Sequence, residues 1–249
     1  MGRISSLLKN IDHRPFPLPE TAWVMKQSWS SLLFAHWPMK SELLRKHIPA
    51  GLEIDVFDGA AWLGVVPFAM RNVCPRYVVE IPYLSNFLEL NIRTYVVKDG
   101  APGVFFFSLD CSNPIAVLIA RQFYHLPYFN ARMKLSTDSG AVEYQSIRAG
   151  SSAAFYAKYG PSGPVFSSNR GSLESFLTER YCLYTTDKNG NYYKGTIHHD
   201  PWPLQPAEAE IKAGELVEQQ LGIKLPDTKP LLHYSEHLDT LEWALELLN

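Results

Sequence analysis

Side chains from Phe87 to Val96 sort into two faces at a period of two, the spacing of a β-strand. Phe87, Glu89, Asn91, Arg93 and Tyr95 share one face; Leu88, Leu90, Ile92, Thr94 and Val96 share the other. A half-buried strand ordinarily sets simple polar residues opposite its apolar side. Here the polar side carries a carboxylate, an amide, a guanidinium and two aromatics, a mixture suited to a lined pocket or an internal polar network. Lys98-Asp99-Gly100 predicts a turn into a second strand, 103–109, which is apolar on both faces and so buried on both. A helix comes next, capped by Ser112 or Asn113 with Pro114 in its first turn. Ile115, Leu118, Ile119 and Phe123 form one face of that helix, with Val117, Arg121, Tyr124 and His125 beside it, and Pro127 ends it.

Around this unit the pattern is mostly that of antiparallel strands. Residues 1–20 read as a Pro-punctuated arm over the surface, and the apolar run VMKQSWSSLLFAHW as a strand ended by Pro38. Ser41 can cap a short helix, and Ile48 to Glu53 turn into a second strand. Asp58-Gly59 predicts a hairpin turn, while Pro67, Pro75 and Pro82 demote their region to edge strand and loop. Further strands are predicted at 131–136, 141–148, 152–159, 176–186 and 192–199, with Asp138-Ser139-Gly140 and Lys188-Asn189-Gly190-Asn191 as turns. PAEAEIKAGELVEQQLG reads as helical, and the tail as a strand and an acidic, Leu-rich stretch. No repeat or linker interrupts the 249 residues, which predicts one α+β, mostly antiparallel β domain.

Composition narrows the partners. A net charge of −2 with no basic run argues against nucleic acid, and no apolar run is long enough to span a membrane. The first residues lack the apolar core of a secretory signal. Cys74, Cys111 and Cys182 are odd in number and widely spaced, which fits a reduced cytoplasmic interior.

Several motifs resemble the YqjF-like family of uncharacterised bacterial proteins. They are LLFAHWP at 32–38, LEIDVFDGAAWLGVVPF at 52–68, ELNIRTYV at 89–96, PGVFFFSLD at 102–110, SLESFLTERYCLY at 172–184 and HHDPWPLQPA at 198–207. The central unit also resembles the acetoacetate decarboxylase-like fold: Glu89, then Asp99-Gly100-Ala101-Pro102-Gly103, Cys111-Ser112-Asn113, Arg121, and a proline at 127. That resemblance implies a cone-shaped β-barrel with flanking helices, an interior pocket and a possible homo-oligomer. It also implies a Schiff-base lysine just after the helix-ending proline. Tyr128 and Phe129 stand there instead. An imine requires a primary amine, and a phenol cannot form one. Lys134, the nearest lysine, does not match the motif.

The candidate ligand-binding residues are therefore Glu89, Asn91, Arg93, Arg121, Tyr124 and Tyr128, with Glu89 as the candidate acid or base. Arg93 or Arg121 would grip a carboxylate, and Arg132 would approach the same mouth. A buried Glu–Arg network that only fixes strand register is the structural alternative. His125 serves as a pH-sensitive group or as a helix-end cap. In 176–186, Glu179 with Tyr181 or Thr178 with Arg180 faces inward. His198 and His199 point oppositely and so do not share a metal, and no metal or cofactor is expected. These residues suit three functions: a pocket for a small, anionic organic molecule, a lysine-independent acid–base enzyme acting on a keto or acyl acid, or a scaffold.

Overall fold

The computed structural model describes residues 2–138 and 140–248. Its elements run α1 (Gly2–Leu7), β1 (Met25–Met39), α2 (Ser41–Arg45), β2 (Glu53–Ile54), β3 (Ala61–Pro75) and α3 (Pro82–Ser85). The central unit is β4 (Phe87–Lys98), β5 (Ala101–Cys111), α4 (Pro114–Phe123) and β6 (Tyr128–Asp138). Then come β7 (Ala141–Arg148), β8 (Ala154–Pro161), α5 (Leu173–Thr178), β9 (Cys182–Thr186) and β10 (Tyr192–His199). The chain closes with β11 (Gln205–Lys212), α6 (Gly214–Leu221), β12 (Leu231–Glu242) and β13 (Glu246–Leu248).

The strands form one mixed sheet in which β5 pairs in parallel with β6 and β9, while the remaining named pairings are antiparallel. The parallel β5–β6 pair is what a strand–helix–strand crossover through α4 produces. Hydrogen-bonded pairings run from β9 through β5, β4, β3, β1, β12 and β10 back to β9. The two faces of β4 divide the interior. Leu90, Ile92 and Val96 join one apolar core with β7, β8 and α6, while Phe87 joins a second with Phe34, Phe68 and Trp202.

Tight turns fall where the sequence places them. Asp99 and Gly100 both take positive φ, 51° and 76°, as a two-residue hairpin turn requires. Asn113 caps α4, its side chain accepting from the amides of Ile115 at 3.0 Å and Ala116 at 3.1 Å. Ser139 of the third predicted turn lies outside the described residues.

The structure corrects several expectations. Pro38 does not end β1: pairing with β12 stops at His36, so the missing amide has no ladder to break on that side. Pro67 sits in a central strand, opposite Leu90 of β4, because the β1 ladder is broken there by a bulge between Ser30 and Ala35. Residues 173–178 form α5, with Ser172 accepting from the Ser175 amide, and the strand begins only at Cys182. Residues 205–212 form β11 rather than helix; Ala207, Ala209 and Ile211 alternate with exposed Glu208, Glu210 and Lys212. The amino-terminal arm contains α1, whose Leu7 is buried against Leu241 and Trp243. Ser41 opens α2 rather than capping it. Among the described residues no helix is long and apolar enough to cross a membrane.

Candidate functional site

The circuit of seven strands encloses a cavity of about 360 Å³, and each strand contributes to its wall. Gln27 and Trp29 come from β1, Phe68 from β3, Glu89, Asn91 and Arg93 from β4, and Phe106 from β5. Cys182, His199 and Glu242 come from β9, β10 and β12, while α4 and the 75–81 loop border the opening. Most of the wall is apolar with a few convergent polar groups, the composition of a small-molecule pocket.

Glu89 is only 2% exposed. The Tyr128 hydroxyl donates to its Oε2 at 2.5 Å. Burial pushes the Glu89 carboxyl up to about 7, against the opposing effect of hydrogen bonds from Tyr128 and Asn91. Glu242 is half-buried and lines the same cavity. Burial and then the neighbouring Glu89 charge push it up to about 8, while Gln27, which donates to it, pulls the other way. The Tyr128 phenol is held well above its usual range by burial first and by Glu89 next, so it stays a donor at neutral pH. Burial also raises the Cys182 thiol to about 11 and lowers the His199 imidazole to about 4, leaving both neutral near pH 7.

The cations are Arg93 and Arg180, and they differ. Arg180 is committed: Nη1 donates to Asp55 at 2.6 Å and Nε to the Phe176 carbonyl at 2.6 Å. Arg93 lies over the Phe34 ring at 5.1 Å, its buried Nε has no hydrogen-bond partner, and no carboxylate pairs with it among the described residues. Behind it the Tyr95 hydroxyl donates to the Leu177 carbonyl at 2.7 Å and so accepts from His36 Nε2 at 2.6 Å.

Glu89, Asn91, Arg93, Tyr124 and Tyr128 thus border one cavity. Arg121 does not: it is exposed, and its Nε donates to the Tyr128 carbonyl at 2.6 Å. Ala116 and Ala120 give α4 its cavity side and turn Arg121 away. Arg132 and Lys134 are exposed on β6, and no lysine lines the cavity among the described residues. His125, at φ 52°, packs its ring 5.0 Å from Tyr193. Glu89 pairs with Tyr128 and Asn91 rather than closing a register-fixing bridge to Arg93.

Thr178 and Arg180 face the cavity, whereas Glu179 accepts from the Tyr181 hydroxyl and the Trp202 amide. His198 turns from His199 toward the arm, donating to the Leu7 carbonyl at 2.8 Å and accepting from Arg14 at 3.0 Å. Sequence reasoning missed Glu242 and Gln27. The signal for Glu242 is its shared period-two face with Leu238 and Thr240, both buried.

Solved structures with this arrangement of strands and helices define the class. Acetoacetate decarboxylase from Legionella pneumophila superposes with a TM-score of 0.63 at 13% identity, over 97% of this chain and 94% of that one. The enduracididine biosynthesis enzyme MppR complexed with pyruvate gives a TM-score of 0.65 at 11% identity, over 94% and 93%. The fold is acetoacetate decarboxylase-like. Within it, residues 26–239 match DUF2071, an uncharacterized conserved protein family, and the chain belongs to that family. Uncharacterized protein YqjF of Bacillus subtilis is 45% identical over 240 residues, 96% of this chain and 98% of that protein.

Proposed function

We propose that the protein binds a small organic anion in this cavity and does so without a Schiff base. One observation carries the reading: Arg93 is a cation in the wall of the cavity, without a carboxylate partner among the described residues. Arg93 is half-buried and its buried Nε lacks a hydrogen-bond partner, which a ligand carboxylate supplies through a two-pronged charge-assisted contact. Neutral Tyr128, His199 and Cys182, together with carboxyls held toward their protonated forms, leave the interior receptive to negative charge. The closed circuit of pairings supports a cone-shaped barrel as the shape of the wall, and three buried free cysteines support a reducing, cytoplasmic setting.

A specific observation favours a second reading, acid–base catalysis on a keto or acyl acid. A carboxyl titrating near 7 is matched to proton transfer at neutral pH. With the ligand carboxylate on Arg93, Glu89 would take a proton from the adjoining part of the substrate while Tyr128 steadies its charge. The bound pyruvate of MppR shows that a small keto acid suits a related fold.

The test is a titration with pyruvate, acetoacetate and simple carboxylates, followed by calorimetry and thermal shift. Binding is expected and should be lost in Arg93→Ala. Equal binding by that variant overturns the clamp. Turnover of any bound keto acid should vanish in Glu89→Gln; unchanged turnover removes Glu89 from the chemistry.

A further inference from the structure

The apolar face of α4 points the wrong way for a core. Ile115, Leu118, Ile119 and Phe123 are exposed, Phe123 at 68%, and the buried residue of the helix is Val117. Across the opening the 75–81 loop does the same, with Val79 80% exposed and Val78 and Ile81 also open. Contiguous exposed apolar surface marks a place where something binds. Val78, Val79, Ile81, Ile115 and Ile119 have a second property: each also lines the cavity. The outer apolar surface and the inner wall are therefore one continuous surface.

Charge is graded along that surface. β4 leaves α3 at the rim, so Phe87 stands near the opening, and Arg93 lies six residues deeper, roughly 20 Å along the strand. Arg180 joins Arg93 at the inner end, Glu89 and Glu242 stand between, and the valines and isoleucines of the rim carry no charge.

We infer that the ligand is an amphiphile, with its anionic head at Arg93 and a hydrocarbon tail leaving between α4 and the 75–81 loop. This deepens the proposed binding function and rests on it. A short polar anion would leave the apolar wall unfilled; a tail covers it and gains roughly 0.8 kcal/mol per buried methylene, a threefold to fourfold change in affinity.

The experiment measures Kd by calorimetry on the full chain for acetate, hexanoate, decanoate, dodecanoate and tetradecanoate, all below their micelle-forming concentrations. Kd should fall roughly threefold to fourfold per added methylene until the tail clears the rim. Ile119→Asn and Val79→Asn should reduce that gain per methylene. A Kd independent of chain length overturns the inference yet leaves anion binding standing, provided Arg93→Ala still abolishes it. Failure of every acid to bind overturns both. A flat series together with rim variants that change the molar mass in light scattering would make the rim a contact between copies, and the tail assignment falls.

Discussion

Glu89 carries a linked cost that sets the protein's response to pH. Its native carboxyl titrates near 7, above the 4.5 of an ordinary glutamate, so between those values the folded state holds a proton that the unfolded chain has released. Stability must then fall as pH rises through that window and level off above it. The displacement corresponds to about 3 kcal/mol, with Glu242 extending the window to about 8. Thermal melts from acid to mildly alkaline pH should show this decline, and Glu89→Gln should flatten it. Tyr128→Phe removes a hydrogen bond that favours the charged form, so the Glu89 midpoint should move higher, as an infrared titration of the carboxyl band would record. Sequence disclosed Glu89, Asn91 and Arg93 because a single strand with strict alternation holds all three. It did not disclose Glu242, whose partner Gln27 and neighbour Glu89 are brought to it only by sheet closure.

Elements were legible where a local signal fixed them. Asn113 before Pro114 marks the start of α4 without help from the rest of the fold, and Asn113→Ala should cost ~1 kcal/mol in denaturant unfolding. Where two periods compete, the sequence misled. In 205–212 small alanines spaced between glutamates resemble a helix surface, yet pairing with β8 over six residues decides for strand. In 173–178 the Ser172 cap wins over aromatic and β-branched neighbours that suggest strand. For α4 the apolar stripe is legible in the sequence and its outward direction is not. Periodicity says which residues share a face and nothing about what that face meets.

The whole molecule depends on joining the cavity wall to the core that β7, β8 and α6 share. Arg148 of β7 does this, with Nε on Asp110 of β5 at 2.7 Å, Nη2 on Ser108 at 3.0 Å and Nη1 on Gln220 of α6 at 2.7 Å. Both charges are buried, so Arg148→Met, which strands Asp110, should cost about 3–5 kcal/mol in chemical denaturation. Asp110→Asn on that background should recover part of it. No local pattern announces this bridge, since its partners are 38 residues apart.

The strand order ends on the stubs β13 and β2, yet two longer edges stay open. β6 meets β5 only as far as Asn130 and β11 meets β12 only as far as Pro206, so 131–137 and 207–212 pair on one side among the described residues. Intermolecular strand addition needs such a free row of amides and carbonyls. Exposed Arg132 and Lys134 on one edge, and Glu208, Glu210 and Lys212 on the other, put charge where a second chain would have to dock, the usual guard against fibril templating in the folded state.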